Sequence, residues 1–267
     1  MTPLPSSTGS DWIADLLAPL WPRAFRAGSR LGSSPLRGRY PAGESCLLPR
    51  FVFRGPGGGG DPIRLGLFAA IHGDEPAGAV ALRDFLLGLD ESPELATGYE
   101  LYVYPVCNPT GLADGTRSSR AGLDLNREFW RESTQPEVCL LERELAVLGF
   151  AGLVALHSDD TCEGVYAFVR GATLTEALAK PALAAAARHL PLATGEIIDG
   201  FPARSGLISQ CYEGILSNPA GLHPLPFEII FETPHTAPVG GQVAAALAAL
   251  HTILREYRQF MAYGQNL

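Results

Sequence analysis

The stretch Ala69-Ala70-Ile71-His72-Gly73-Asp74-Glu75-Pro76 ends a short apolar run in a histidine and places a glutamate three residues further on. Gly73 permits a sharp change of direction. Pro76 suits the first position of a helix, where its missing N–H costs nothing. The stretch therefore predicts a strand, a tight turn and a helix. Open α/β sheets gather ligands at the carboxyl ends of their strands, and His72 and Glu75 fall at such an edge. An imidazole and a carboxylate held close together there suit a zinc ion. Catalytic zinc takes three protein ligands and keeps one position open. A third ligand, a general base and an anion-binding group are then to be found elsewhere in the chain.

Outward from this point, apolar runs alternate with helical patterns. Strands are expected at 64–70, 100–106, 152–157, 164–170 and 227–232, and helices at 76–89, 136–148, 174–189 and 242–260. Such alternation predicts an α/β fold: a single domain with a mixed, mostly parallel twisted sheet flanked by helices. Residues 1–10 read as a loose polar arm, and Asp11 as the cap of a helix through Leu20. Residues 38–54 read as a strand or hairpin. The expected division is an N-terminal arm and helix over 1–37 and the main domain over 38–267. Gly55–Gly60 matches G-x-G-x-x-G, but Asp61-Pro62 and a strand follow it instead of a helix, so it is a turn and not a dinucleotide loop. The Pro/Gly-rich segment 191–226 is too long for a simple connection and is expected to be an active-site loop.

Composition narrows the function classes. The chain has 267 residues, 28 acidic and 20 basic, for a formal charge of −8. This argues against a general binder of nucleic acid or of anionic membranes, though a local arginine cluster could still recognise a small anion. No apolar run reaches membrane-spanning length, and no secretory signal is evident. The five cysteines, Cys46, Cys107, Cys139, Cys162 and Cys211, are scattered without a C-x-x-C pair and read as reduced thiols. A cytoplasmic location is the expectation. The oligomeric state is left open.

Three further stretches carry chemistry. Asn108-Pro109-Thr110-Gly111 is followed by Arg117, Arg120 and Gly122-Leu123-Asp124-Leu125-Asn126-Arg127. An arginine fork can clamp a carboxylate through two parallel hydrogen bonds. Leu153-Val154-Ala155-Leu156-His157-Ser158 ends a second apolar run in histidine, so two histidines at the ends of parallel strands could converge on one metal. Phe227-Glu228-Ile229-Ile230-Phe231-Glu232-Thr233-Pro234 places Glu232 at the end of a third run, where a carboxylate can accept a proton from water. Glu228, four residues earlier, is the weaker choice of base. Each residue alone also fits an ordinary strand end or a solvated surface pair.

The ordered set HGDE, NPTG, Arg117, GLDLNR, LHS and FETP resembles the carboxypeptidase A-like zinc metallopeptidases and their relatives, the succinylglutamate desuccinylases and aspartoacylases, over roughly residues 38–260. The resemblance implies a zinc carboxypeptidase-like fold with one Zn²⁺ per chain held by His72, Glu75 and His157. It makes Glu232 the general base and Arg117 the group that polarises the scissile carbonyl, with Arg120 as its rival. Asn126 and Arg127 would hold the substrate carboxylate, and Asp124 would orient His72 from behind. Tyr212 is the candidate for the mobile tyrosine of carboxypeptidases. The implied activity is cleavage of an amide next to a free carboxylate, first as a metallocarboxypeptidase on small peptides, otherwise as an N-acyl-amino-acid deacylase. A non-catalytic binding protein with a degenerate site is the alternative of another class. Asp159 and Asp160 are unusual after the histidine; they shape the pocket, meet a basic group on the substrate, or face water.

Overall fold

Residues 64–70, 152–157 and 227–232 are rich in Leu, Val, Ile and Phe and show no polar alternation. Strands of this kind are covered on both faces. The computed structural model describes residues 9–264 and places these runs at the centre of one sheet. Residues 1–8 of the expected polar arm lie outside the described residues.

Two short helices come first, α1 (Gly9–Leu17) and α2 (Trp21–Ala24). Asp11 lies inside the first turn of α1 and does not precede it. Four strands follow: β1 (Leu31–Ser33), β2 (Leu36–Arg39), β3 (Ser45–Leu48) and β4 (Phe51–Arg54). The alternating part comprises β5 (Ile63–Ala69), α3 (Pro76–Glu91), β6 (Tyr99–Tyr104), α4 (Pro109–Asp114), α5 (Pro136–Val147), β7 (Gly152–Asp159), β8 (Tyr166–Gly171) and α6 (Thr175–Ala186). Three two-residue strands, β9 (Ile197–Ile198), β10 (Phe201–Pro202) and β11 (Leu207–Ile208), precede β12 (Phe227–Pro234) and the long α7 (Val239–Gly264).

The large sheet has the order β1-β4-β6-β5-β7-β12-β8-β11. Its four central strands, β6, β5, β7 and β12, run parallel. β4 and β8 pair antiparallel on either side of them. β1 precedes residue 38, yet it forms one edge of this sheet, and Leu16, Leu17 and Leu20 join the core beside α3. One face is covered by α3, α6 and α7; the other by α5, the β2–β3 hairpin and the segment before β12. Between β7 and β12 the spacing is close. A Cβ at Gly152 would lie 2.2 Å from the Phe227 ring, so this position in β7 admits no side chain. No helix among the described residues is long and apolar enough to cross a membrane. All five cysteines are free.

Candidate active site

β5 ends at Ala69, and Ala70 adopts a left-handed backbone (φ 50°), a conformation rare outside glycine. This bend carries His72 over the end of the sheet. Glu75 follows at the N-cap of α3, with Pro76 in the first helical position. Gly73 faces Gly111 so closely that an added Cβ would lie 1.9 Å from the Gly111 carbonyl carbon. Asn108 fastens the same corner. Its Nδ2 donates to the Ile71 carbonyl at 3.2 Å, and its Oδ1 accepts the Gly111 N–H at 2.8 Å. The HGDE and NPTG stretches are thus two halves of one packed turn. Substituting Gly73→Ala should displace His72 and Glu75 while leaving the sheet intact. Metal affinity, measured by competition with a chelator, is expected to fall about 10–100-fold, as when the groups that orient ligands are disturbed; an unchanged affinity would dissociate this turn from the site.

The neighbouring strands complete the edge. His157 and Glu232 are register partners across β7 and β12, and Glu232 and Tyr166 are partners across β12 and β8. The three side chains therefore form a row on one face. β7 and β12 each continue two residues past the expected strand ends, because Ser158 and Asp159 pair with Thr233 and Pro234. On the opposite face Ser158 Oγ and Thr233 Oγ1 donate to Gln242 Oε1 of α7 at 2.7 and 3.1 Å, which braces both strand ends from behind.

His72, Glu75 and His157 are all buried and offer ligand atoms within 4.8 Å of one another. His72 Nδ1 lies 2.6 Å from Glu75 Oε1, and His157 Nδ1 lies 3.0 Å from Glu75 Oε2. The Ser158 N–H also donates to Glu75 Oε2 at 3.0 Å. His72 Nε2 lies 3.2 Å from Asp124 Oδ1, so its outer nitrogen is held by a carboxylate, as is usual for a metal-binding histidine. Two imidazoles and one carboxylate are a donor set that zinc accepts with a position left open.

The charges are strongly coupled. Burial alone would raise the Glu75 carboxyl, but His157 and His72 outweigh it and hold it well below the ordinary carboxylate range. Burial pushes His157 down despite Glu75. His72 moves the other way, because Glu75 and Asp124 overcome its burial. Burial, then Glu75, Asp159 and Asp199, raise the Glu232 carboxyl well above its usual value, with Arg117 opposing. Asp124 is held down by His72, Arg117 and Arg127 against its burial.

His72, Glu75, His157 and Glu232 open onto one cavity of about 300 Å³, lined also by Arg117, Asn126, Arg127, Asp159, Asp160 and Tyr212. Arg117 lies 3.7 Å from Glu75 and 3.1 Å from Asp124. Its rival Arg120 is turned away and paired with Asp114 at 2.8 Å on the surface. The Asn126 side chain accepts the Leu216 N–H at 2.9 Å, which ties the GLDLNR turn to the segment before β12. The Arg127 guanidinium stacks 4.3 Å over the Tyr212 ring, and the Tyr212 hydroxyl donates to Asp199 Oδ1 at 3.0 Å. The less favoured Glu228 lies away from this cavity, accepting the Asn218 N–H at 2.8 Å.

Among the lining residues, Tyr166, Phe168 and Asp199 lie outside the sequence motifs described above. For Asp199 a signal existed. Asp199-Gly200 stands between Ile197-Ile198 and Phe201-Pro202, and Asp-Gly between apolar residues is a strong hairpin signal. β9 and β10 pair around it, and both turn residues have positive φ.

Comparison with known proteins bears on the family and the fold. The model for the succinylglutamate desuccinylase/aspartoacylase catalytic domain matches residues 62–194. A solved candidate metallopeptidase of Shewanella amazonensis SB2B is 26% identical, covering 92% of this chain and 93% of that one with a TM-score of 0.74. This chain belongs to the carboxypeptidase-like family that includes the succinylglutamate desuccinylases and aspartoacylases. A candidate metallopeptidase of Shewanella baltica OS155 shares the fold at 22% identity, with 92% of each chain covered and a TM-score of 0.72. So does a metallo-carboxypeptidase of Pseudomonas aeruginosa, solved in complex with (2-guanidinoethylmercapto)succinic acid. Its identity is 21%, its TM-score 0.66, and the coverage 92% of this chain and 68% of that one. No curated protein matches the sequence. The protein is accordingly a hydrolase of the carboxypeptidase-like or desuccinylase/aspartoacylase kind, and its histidines and glutamate can hold a metal.

Proposed function

We propose that the protein is a zinc hydrolase that cleaves an amide next to a free carboxylate, first as a metallocarboxypeptidase on small peptides. One observation carries this reading: a His/Glu/His triad, a buried carboxylate with raised proton affinity and two arginines open onto a single cavity. His72, Glu75 and His157 would hold the zinc, which when bound supplies a Lewis acid that makes water acidic and polarises a carbonyl. Glu232 takes the proton of the attacking water onto its carboxylate and returns it to the departing nitrogen. Arg117, poised between Glu75 and Asp124, offers its guanidinium to the charge that develops on the carbonyl oxygen. Arg127, with Asn126 beside it, receives the substrate carboxylate. Tyr212 forms the wall behind Arg127.

A second reading, an N-acyl-amino-acid deacylase, is favoured by the family match over residues 62–194. Both reactions use the same residues, so the substrates must separate them. Zinc-loaded protein should be incubated with short peptides, with N-acyl amino acids and with the carboxyl-amidated form of each, and products read by mass spectrometry. Release of a C-terminal residue supports the peptidase; release of a small acyl group supports the deacylase. In either case amidation is expected to lower kcat/KM about ten- to a hundredfold, since a charge-assisted bond contributes about 1.5–3 kcal/mol. Equal cleavage of acid and amide would overturn both readings.

A further inference from the structure

The cavity that holds the arginines also holds groups of opposite charge. Asp159 and Asp199 line it, half-buried. Their hydrogen bonds come from neutral hydroxyls: Thr161 Oγ1 donates to Asp159 at 2.6 Å, and Tyr212 to Asp199 at 3.0 Å. Among the described residues neither carboxylate has an ion-pair partner. Arg117 and Arg127, which line the same cavity, are engaged with Asp124 and with the Tyr212 ring.

A second observation comes from Tyr166, whose hydroxyl lies close to Asp159. The Tyr166 side chain is 1% exposed, lines the same cavity, and its hydroxyl has no hydrogen-bond partner. A buried hydroxyl is normally paired. Tyr166 follows Glu232 in the row across β12 and β8, so its hydroxyl is held on the substrate side of the sheet.

Tyr212 sets the scale between Arg127 and Asp199. One face of its ring carries Arg127, and its hydroxyl reaches Asp199. A carboxylate on Arg127 and a group beside Asp199 are therefore a single side chain apart, a span that one amino-acid residue covers. Phe168 and Ile215 supply apolar wall for the methylenes of a long side chain.

We propose that Asp159, Asp199 and the Tyr166 hydroxyl form a subsite for an ammonium or guanidinium group on the carboxylate-bearing residue that the enzyme releases. This rests on the hydrolase reading for the meaning of "released". The carboxylates supply charge, and the tyrosine oxygen accepts one further N–H. The preferred product is then an amino acid with a cationic side chain.

The test uses the zinc-loaded full chain and six compounds. Three are peptides ending in lysine, in its uncharged analogue norleucine or in glutamate, and three are the N-acetyl derivatives of the same amino acids. The lysine compound is expected to exceed the norleucine compound at least about tenfold in kcat/KM, with glutamate poorest. Asp199→Asn, Asp159→Asn and Tyr166→Phe should each shrink the lysine-to-norleucine ratio, zinc content being checked in each. Equal use of lysine and norleucine, or preference for glutamate, overturns the subsite. If none of the six is cleaved, the hydrolase reading fails on these substrates. The subsite is then judged by calorimetry of free lysine against norleucine: tighter lysine binding that Asp199→Asn removes supports it, and equal binding overturns it.

Discussion

Glu232→Gln is expected to keep its zinc and lose about 10²–10⁴-fold in turnover, because an amide cannot take the proton of the attacking water. The same substitution should stabilise the metal-free protein at neutral pH. Burial, then Glu75, Asp159 and Asp199, raise the Glu232 carboxyl above its ordinary value. An acid raised by folding binds its proton more tightly in the native state than in the unfolded chain. Native stability then falls as pH climbs from the unfolded carboxylate value through the raised one. Wild-type protein stripped of metal should therefore melt below the variant at pH 7, and the gap should close below about pH 4, where both states hold the proton. Calorimetry in the presence of a chelator measures this. A gap independent of pH would mean that Glu232 is not strained by its surroundings, and near-normal activity of the zinc-replete variant would remove it from proton transfer.

His157→Ala is expected to reduce activity to background and bound metal from one ion per chain to near zero. Two ligands, His72 and Glu75, would remain where catalytic zinc takes three. The substitution also takes one of two imidazoles from a carboxylate that is 4% exposed. Glu75 would keep His72 and the Ser158 N–H, so the fold should survive with a lower melting temperature. Elemental analysis decides the matter. A variant retaining stoichiometric metal and turnover would exclude His157 from the metal centre.

Much of this site could be read in the sequence because its members terminate long apolar runs. His72 follows β5, and His157 and Glu232 stand near the ends of β7 and β12, strands whose burial on both faces leaves a largely apolar signature. Tyr166 was not legible for the same physical reason in reverse. It sits inside an apolar run, and only the antiparallel register of β8 on β12, a tertiary fact, puts it beside Glu232. Arg117 and Arg120 could not be separated by pattern, since both lie in one loop of low periodicity; the ion pair with Asp114 is what turns Arg120 outward. The strands of the 191–226 segment have two residues each, too few to carry a period, and the three-residue β1 took its place in the main sheet by pairing with β4.

The strand order has a consequence for how the molecule is made. β12 is the last strand of the chain, yet it lies between β7 and β8, which do not pair with each other. While the chain is being synthesised, the edges of β7 and β8, which end at Asp159 and Gly171, must wait for a segment that begins only at Phe227. His72, Glu75 and His157 are by then already synthesised, but Glu232 is not. On the proposed function, insertion of one late strand closes the sheet and adds the proton acceptor in the same event, so the nascent chain has no complete hydrolytic centre until its architecture is finished.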